Sequence, residues 1–535
     1  MINEESKKNY PTSWEIVKLG DFADSEKGKK PKNQQPLQNE EFHLPYIDIE
    51  AFEKGIFKSF TDGEKCIICD DSDFLMVWDG SRSGLVGKGL KGALGSTLVR
   101  INLPMINNLY GYYYLQSKYL EINTRAKGVG IPHVDSFLLW SYDFPIPPVN
   151  EQNRIVDKIE ALFSEVDAGI ANLTLAKRQL TQYRQSLLKH AFEGKLTARW
   201  REDYAEKHGK SLPSADELLE QIQTARQDYY DQKITDWEQA VEAWEEQDKE
   251  GAKPRKPSAF IKPEKNSSVN NYLIDYFYKK VNFSELYDVF IGSTPSRSIS
   301  EYWNGDINWI SSGEVTFSNI RSTKEKITQL GLAKTSTSVH PIGTVMLAMI
   351  GEGKTRGQAS ILKIEACHNQ NTAALRVNND LLSSEYLYFY LLYSYEMTRR
   401  IGSGNNQKAL NKTVIQNMTI PICSFEEQTE IAQILERQNN AIESSKQTLD
   451  KYLKKATLLK TSILHKAFQG KLVPQDPNNP PASELLAQIK AEREAKALAE
   501  KQSKQDKTAS KSKAKTKSAK TPNKSKKDEQ ITLSL

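Results

Sequence analysis

The stretch FPIPPVNEQNRIVDKIEALF, Phe144–Phe163, returns later in the chain as IPICSFEEQTEIAQILERQN, Ile420–Asn439. The same offset of 276 residues relates LLKHAFEGKLT at 187–197 to ILHKAFQGKLV at 463–473, and YGYYYLQS at 110–117 to YLYFYLLY at 386–393. Ungapped matches at one offset over about 88 residues indicate a tandem duplication. The 535-residue chain is therefore predicted to contain two copies of one unit.

The second part of each copy carries an apolar heptad repeat. The five repeating positions are Ile159, Val166, Leu173, Leu180 and Leu187 in the first copy, and Leu435, Ile442, Leu449, Ala456 and Ile463 in the second. Such a seam predicts a long coiled-coil helix, for which Gly194 and Gly470 supply stop signals. An amphipathic helix packed on a globular core would show a similar pattern. Two such helices in one chain can pair with each other, which favours the coiled coil.

The first part of each copy has a different sequence pattern. Residues 14–148 and 283–424 consist of short β-like runs, such as DFLMVW and GTVMLAMI, broken by Gly, Asn, Pro and Ser. This pattern predicts a compact α+β domain of about 140 residues in each copy. The predicted fold class is therefore α+β, with two globular domains in tandem duplication and two long coiled-coil helices.

The repeat and the composition together predict the segment boundaries. A weaker echo, ADELLEQI at 215 and ASELLAQI at 482, follows each long helix. Between Lys501 and Lys527 there are 11 Lys and a single acid, so this run is predicted to be a disordered arm, either simply solvated or binding phosphate non-specifically. The predicted segments are a globular domain at 1–148, a long helix at 149–198, a charged helical insert and linker at 199–282, a second globular domain at 283–424, a second long helix at 425–473, and the echo with the Lys-rich tail at 474–535.

Charge and cysteine content bound the class of protein. A formal net charge of +5 permits a polyanionic partner without requiring one. Four Cys indicate a reducing compartment rather than a disulfide framework, and the Cys66/Cys69 pair has no second pair at zinc-finger spacing. The N-terminus is polar, and no apolar run approaches the length that spans a bilayer. The chain is predicted to be cytoplasmic, with no membrane segment and no metal site.

One motif imitates a nucleotide site. Ala348–Thr355 reads A-x-x-x-x-G-K-T, close to a P-loop, but the other copy has DGSRSG at the matching place and lacks the G-K-[ST] element. The residues after Lys354, TRGQASILKI, do not have the pattern of the helix that a P-loop requires. Both copies instead predict a strand ending in a Gly-rich turn with one cation, Arg82 or Lys354. Such a turn suits the approach to a nucleic-acid phosphate or a guanine edge.

Catalysis by this chain is not predicted. The tetrapeptide NPPA at 479–482 resembles the loop with which amino-methyltransferases hold a flipped base, but it has Ala482 in place of the aromatic residue. The seven His form no convincing Ser/His/Asp arrangement, and no paired-carboxylate site is evident.

The duplicated boundary (Pro145–Gln152 and Pro421–Gln428) and the two AF-[EQ]-GKL helix ends resemble the specificity subunits of type I restriction–modification systems. The stretches GSTPSRSISEYWNGDINWISSGEV, 292–315, and DGSRSGLVGKGLKGALGSTLVRI, 79–101, look equally typical of that family. The resemblance covers about residues 12–490. The charged insert and the Lys-rich tail depart from it.

The resemblance implies a non-catalytic role in DNA recognition. Each globular domain would be a target recognition domain that reads one half of an asymmetric, bipartite DNA sequence, while the two long helices pack antiparallel and set the spacer. The helical regions would dock two methylation subunits, which carry S-adenosylmethionine and methylate adenine N6. A restriction subunit with an ATP-driven motor would join them. No cofactor is expected on this chain; S-adenosylmethionine, ATP and Mg are expected on the partner subunits.

The residues expected to contact DNA lie in loops of both domains. Arg, Asn and Gln can make bidentate base contacts, whereas Lys and Ser mostly position phosphates. The candidates in the first domain are Lys27, Lys29, Lys30, Lys32, Ser81, Arg82, Ser83, Lys88 and His133. Those in the second are Thr294, Ser296, Arg297, Ser312, Lys354, Arg356, Asn405, Asn406, Gln407 and Lys408. The tyrosine clusters at 110–114 and 386–390 could stack on bases, but adjacent leucines favour a buried helix face.

Two other functions fit the same features. One is a stand-alone sequence-specific DNA-binding or architectural protein, and the other is a coiled-coil scaffold whose globular domains bind protein. The scaffold predicts no DNA affinity, whereas specific DNA binding predicts affinity with a steep dependence on salt.

Overall fold

A computed structural model describes residues 10–128, 130–246, 253–257, 277–351, 353–378, 380–400 and 409–517, with the side chains of 500 and 503–517 left undescribed. The chain divides into two compact units. One comprises Met1–Leu173 with Lys451–Leu535, and the other comprises Thr174–Asp450. Each unit therefore combines one globular domain with a part of both long helices.

The first long helix runs from Val149 to Phe192 and the second from Phe425 to Ala467. In the second unit, Lys177 Nζ lies 2.6 Å from Asp450 Oδ1, and Arg184 Nη1 lies 2.6 Å from Glu443 Oε1. Seven residues further along the first helix, the ion-pair partner lies seven residues earlier in the second helix. The two helices are therefore antiparallel, as predicted. In the first unit, Lys460 pairs with Asp167 at 2.5 Å.

The apolar seam is buried unevenly. Its outer positions Ile159, Val166, Leu187, Leu435, Ile442 and Ile463 are buried. The middle positions Leu173, Leu180, Leu449 and Ala456 are only half-buried. Two paired helices cover only one side of each other, whereas near the helix ends a globular domain adds a second covering surface. All the outer seam positions except Ile442 accordingly belong to the two main cores.

The first globular domain is built from three small sheets. A two-stranded antiparallel sheet pairs Glu15–Lys18 with Asp143–Ile146. A four-stranded antiparallel sheet has the order Asp24–Lys27, Leu98–Asn102, Phe74–Val77, Val86–Lys88. A five-stranded sheet has the order Gln34–Gln35, Phe60–Thr61, Leu44–Ile47, Gly92–Leu94, Ile68–Cys69. The helices are Ile49–Lys54, Asn108–Thr124 and Ser136–Trp140, with a 3-10 turn at Leu19–Asp21.

The second globular domain repeats this plan. Lys279–Asn282 pairs with Thr419–Ile422, and the second of these strands lies at the offset of the sequence repeat from Asp143–Ile146. A five-stranded sheet has the order Asp288–Ile291, Thr372–Arg376, Val345–Ala348, Ala359–Leu362, Asn319–Ile320. A three-stranded sheet has the order Glu325–Ile327, Trp303–Ile310, Cys367–His368. The helices are Phe283–Leu286, Gln329–Ala333, Ser384–Tyr393, Tyr395–Arg400 and Lys412–Gln416, with 3-10 turns at Ser300–Tyr302 and Ser312–Glu314.

The repeated glutamine of the boundary motif has the same role in both copies. Gln152 Nε2 donates to the Pro147 carbonyl at 2.9 Å, and its Oε1 accepts from the Asn107 N–H at 2.9 Å. Gln428 bonds in the same way to the Cys423 carbonyl at 2.8 Å and the Ser383 N–H at 3.1 Å. One buried amide thus joins the start of the long helix to the N-cap of the tyrosine-bearing helix, which satisfies polar groups that burial would otherwise leave unpaired.

The repeated helix ends pack on the globular domain of the other copy. Phe192, which ends the first long helix, contacts the rings of Tyr386 and Tyr390 at centroid distances of 5.2 and 5.1 Å. In the first unit, Phe468 contacts the rings of Tyr110 and Tyr114 at 5.2 and 5.3 Å. The tyrosine clusters are therefore core residues, as predicted, and the duplicated copies exchange partners.

Among the described residues, three further helices follow the long ones. They are Ala198–His208 and Ala215–Glu246 after the first, and Ala482–Lys517 after the second. The echoed residues pack alike: Ala215, Leu218 and Ile222 join the core of the second unit, and Ala482, Leu485 and Ile489 join that of the first. The last helix continues past Lys501, where disorder was predicted, because Ala and Lys are strong helix formers. Residues 518–535 lie outside the described residues.

Membrane-spanning helices and metal-binding clusters are both missing from the described residues. Within the described part of the chain, no helix has both the length and the apolar character needed to cross a membrane. Across the same residues, His, Cys, Asp and Glu form no group of three or more that could hold a metal ion. Cys69 is buried, with its Sγ directed at the carbonyls of Leu90 and Gly92.

Candidate nucleic-acid interface

The KGKKPK loop of the first domain crosses the end of a neighbouring strand at Gly28. The Gly28 and Lys29 N–H groups donate to the carbonyls of Leu98 at 2.9 Å and Leu94 at 3.1 Å. A Cβ at Gly28 would lie 2.2 Å from the Gly95 carbonyl oxygen, so only glycine allows this crossing. The loop leaves a line of exposed cations that follow the strand, Lys27, Lys29, Lys30 and Lys32.

The second domain has an equivalent loop at Gly292. The Ser293 N–H donates to the His368 carbonyl at 2.9 Å, and a Cβ at Gly292 would lie 2.0 Å from the same oxygen. Thr294 Oγ1 donates to Gln370 Oε1 at 2.5 Å. Ser296 and Arg297 follow on the exposed side. The loops at Gly28 and Gly292, each predicted separately from the sequence, thus occupy corresponding places in the fold.

The Gly-rich turns are β-hairpin turns in both domains. Gly84 N–H donates to the Val77 carbonyl at 2.7 Å, and Gly357 N–H donates to the Ala348 carbonyl at 2.8 Å. Both glycines have positive φ, 90° and 84°. The element that follows Lys354 is the strand Ala359–Leu362, so the P-loop-like segment has no helix start at which a phosphate could be held.

A third segment joins the turn in each domain. In the first, Gly80 N–H donates to the Pro132 carbonyl at 2.7 Å, and Asp79 forms a backbone bridge with His133. In the second, the Leu410 N–H donates to the Met349 carbonyl at 3.0 Å, as Val134 does to Trp78 at 3.0 Å. Leu410 therefore lies beside the strand that leads into the corresponding turn. Asn405, Asn406, Gln407 and Lys408 lie outside the described residues.

Two of the expected residues are buried, and two others are paired or half-buried. Ser83 is completely buried, and Arg356 is 8% exposed with Nη2 donating to the Arg399 carbonyl at 2.6 Å. Lys88 Nζ lies 2.7 Å from Glu160 of the first long helix. Ser312 begins a 3-10 turn and is half-buried. The structure thus brings together the glycine loop, the Gly-rich turn and the third segment, and it buries Ser83 and Arg356.

Carboxylates accompany the exposed cations of the interface. Arg82 pairs with Glu53, and Lys27 Nζ lies 2.8 Å from Asp79 Oδ2. Arg297 donates from both terminal nitrogens to Glu325, at 2.6 and 3.0 Å, which lowers the pKa of the Glu325 carboxyl below its usual value. These pairs fix the directions of the long side chains but leave them partly exposed, so phosphates or bases can compete for them.

The structure adds residues that sequence reasoning missed. Trp303, Lys324, Glu325 and Lys326 line, with Arg297, a cleft of about 630 Å³. Lys324 and Lys326 are both exposed. The alternating Lys-Glu-Lys at the start of the short strand Glu325–Ile327 was the available signal, because residues two apart lie on one face of extended backbone. The tertiary pairing with Arg297 had no local signal.

A buried polar chain lies beneath the second glycine loop. Arg376 Nε donates to His340 Nδ1 at 3.0 Å, the two Nε2 atoms of His340 and His368 are 3.2 Å apart, and His368 Nδ1 lies 2.8 Å from Thr372 Oγ1. Since Arg376 can only donate, the chain is satisfied with both imidazoles neutral. Burial lowers the pKa of His368 to about 4. Burial, with Arg376 and His368 nearby, lowers that of His340 to about 3.

Duplicated α+β domains on long antiparallel helices, each with a cationic glycine loop beside a hairpin turn, define a recognition protein with two related reading domains. The model of the family described as the type I restriction modification DNA specificity domain matches residues 11–174 and 278–453. These two segments make up more than half of the sequence, and the chain belongs to this family. Membership confirms the predicted class, a DNA specificity subunit, which is the non-catalytic component of such a system.

Individual relatives agree with this assignment. The chain is 33% identical to the MjaVIII specificity subunit of Methanocaldococcus jannaschii over 185 residues, which is 34% of this chain and 42% of that protein. It is 23% identical to the Escherichia coli EcoBI specificity subunit over 500 residues, which is 90% of this chain and 93% of that one. A chain from a solved structure on complex assembly of the type I restriction–modification system superposes with a TM-score of 0.58 at 18% identity, covering 86% of this chain and 99% of that one.

Proposed function

We propose that each globular domain reads one half of an asymmetric, bipartite DNA target and that the pair of long helices sets the spacer between the halves. The observation that carries the proposal is the corresponding placement of the loops at Gly28 and Gly292, each beside a hairpin turn that presents a cation. Two related but different reading surfaces in one chain suit two different half-sites.

The proposed contacts divide by chemistry. Arg82, Arg297 and the amides Asn405, Asn406 and Gln407 are proposed to face base edges, since they can make bidentate contacts. The remaining candidates are proposed to hold phosphates and fix the register. They are Lys27, Lys29, Lys30, Lys32, Ser81, Lys88, His133, Thr294, Ser296, Ser312, Lys354 and Lys408. Ser83 and Arg356 are left out because they are buried.

The proposal keeps the predicted segments as functional parts. Residues 1–148 and 283–424 are the target recognition domains, 149–198 and 425–473 are the spacer helices, and 199–282 and 474–535 are accessory segments. The helical parts are proposed to dock two methylation subunits, and a restriction and translocation subunit joins the assembly. In this arrangement S-adenosylmethionine, ATP and Mg are bound by those partners, and the complex acts on chromosomal DNA in the cytoplasm.

The experiment that tests this proposal is single-molecule methylome sequencing of the host with the gene intact and deleted. We expect one asymmetric bipartite N6-methyladenine motif to disappear on deletion and to return when the gene is restored. If no motif changes, the modification role is contradicted. Binding of the purified chain to DNA at several salt concentrations then separates a stand-alone DNA-binding protein, with a steep salt dependence, from a protein scaffold without DNA affinity.

A further inference from the structure

Arg297 in the second domain is held in one orientation by three side chains from two strands. Its guanidinium lies 4.4 Å from the ring centroid of Trp303 and 5.5 Å from that of Trp309. Its two terminal nitrogens donate to the two carboxylate oxygens of Glu325 at 2.6 and 3.0 Å. A planar cation stacked on one face and paired at one end keeps little rotational freedom.

The platform beneath Arg297 is itself fixed to the loop that carries it. The indole N–H of Trp303 donates to the Ser296 carbonyl at 3.1 Å, and that of Trp309 donates to the Ser293 carbonyl at 3.1 Å. Trp309 is 1% exposed and meets Trp303 edge to face at 5.1 Å. Two buried or half-buried indoles therefore tie both ends of the segment 293–296 to one rigid strand.

The arrangement leaves the edge of the Arg297 guanidinium that carries Nε open to a ligand. Arginine has five N–H groups, and the two contacts to Glu325 use only one on each terminal nitrogen. The Nε–H and a neighbouring terminal N–H then form a second parallel pair of donors. The Arg297 side chain is 57% exposed and that of Glu325 is 38% exposed, so this edge can reach a ligand in solution.

We infer that Arg297, oriented by Glu325 and Trp303, reads a guanine in the half-site of the second domain. Guanine presents two acceptors, O6 and N7, side by side in the major groove, and these match two parallel N–H donors. A phosphate would not require a fixed plane, because its oxygens accept from many directions. Glu325 and Trp303 are positioning residues, and the inference rests on the proposed function.

The test uses the complete methyltransferase complex, purified from the host with wild-type chain or with Arg297→Lys or Glu325→Gln. Binding is measured by competition with oligonucleotides in which each position of both half-sites is changed in turn. For the wild type we expect one guanine of one half-site whose replacement weakens binding about ten- to hundredfold. Arg297→Lys should reduce that penalty to within about threefold while the penalties at the other positions remain.

Glu325→Gln separates positioning from a general structural role. We expect discrimination at the same guanine to fall severalfold, while affinity for unrelated DNA stays equal or rises, because a negative charge near the phosphates has been removed. The matched control is Lys363→Ala, which removes a cation of the same domain that pairs with Glu385 at 3.2 Å. This control should leave every base preference unchanged.

Other outcomes would overturn the inference. Uniform weakening at all positions in Arg297→Lys would make Arg297 a phosphate contact. Lower melting temperatures in both variants, with every base preference intact, would show that Arg297 and Glu325 only stabilise the fold. Failure of the wild-type complex to prefer any sequence would instead contradict the proposed function itself, so the two failures are distinguishable.

Discussion

Two buried tyrosines in each globular domain hydrogen-bond to the strand that precedes the long helix. Tyr110 and Tyr386 are almost completely buried, and their hydroxyls donate to the carbonyls of Pro145 at 2.9 Å and Pro421 at 2.8 Å. Tyr114 and Tyr390 bond in the same way to the carbonyls of Asp143 at 2.8 Å and Thr419 at 2.6 Å. The hydroxyls therefore explain why tyrosine stands where a plain core position would take phenylalanine.

Tyr386→Phe is expected to lower the free energy of unfolding by about 1–3 kcal/mol, because the buried Pro421 carbonyl loses its donor. Urea denaturation of the purified chain measures this change. Tyr452→Phe is the matched control, since that ring is 51% exposed and should tolerate the loss of its hydroxyl. Equal stability of the two variants would show that the buried hydrogen bond contributes nothing measurable.

The His340–His368 chain predicts acid lability of the second domain. Burial lowers the pKa of His340 to about 3 and that of His368 to about 4, whereas histidine in the unfolded chain titrates near 6.5. Stability is therefore complete above pH 6.5 and falls as the pH drops towards 4, because only the unfolded chain binds the protons. The expected slope is up to about 1.4 kcal/mol per pH unit for each histidine.

Urea denaturation at pH 7.5 and 5.5 measures this dependence. A double variant, His340→Gln with His368→Asn, should be less stable at pH 7.5 but should lose less stability between the two values. An equal loss in the wild type and the variant would assign the acid lability to other groups.

At the scale of elements, each long helix is followed by a glycine that packs closely against another part of the same unit. Gly194 has φ of 72° and Gly470 has φ of 70°, the left-handed conformation common just beyond a helix C-terminus. A Cβ at Gly194 would lie 2.9 Å from the Tyr278 ring, and one at Gly470 would lie 2.4 Å from Pro11. The glycines thus serve both the turn and the close approach, which explains their place in the repeated motif.

Gly194→Ala is expected to cost about 1–3 kcal/mol more than Gly209→Ala in the free energy of unfolding, because only the first also overlaps a buried ring. Gly209 is a matched control: it ends the helix Ala198–His208 with φ of 65°, and a Cβ there would meet nothing within 4 Å. Thermal or urea unfolding of both variants measures the difference. Equal costs would mean that the Tyr278 side chain yields without penalty.

At the scale of the whole molecule, the duplicated copies depend on each other. The end of the first long helix completes the core around Tyr386, and the end of the second completes the core around Tyr110. Each compact unit therefore draws on both copies of the repeat. A chain cut between the copies separates each tyrosine cluster from the phenylalanine that covers it.

The proposed spacer role predicts the effect of shortening both helices. Deleting one heptad from each, residues 174–180 and 447–453, keeps the apolar seam in phase and shortens the pair by about 10 Å, since an α-helix rises about 1.5 Å per residue. The methylated motif should keep both half-sites and lose about three base pairs of spacer, at about 3.4 Å per base pair. Methylome sequencing of the complemented deletion strain measures the motif. An unchanged spacer would contradict the role of the helices.

The sequence alone determined the duplication, the paired long helices, the α+β class and the family. Repeats and heptads are patterns within the sequence itself, so they can be recognised in one chain without information on tertiary contacts. Only the tertiary structure decided that each helix end covers the domain of the other copy, that Ser83 and Arg356 are buried, and that Glu325 holds Arg297. These contacts join residues that are far apart in sequence. Packing in three dimensions decides which of them meet, and the spacing of residues along the chain does not reveal it.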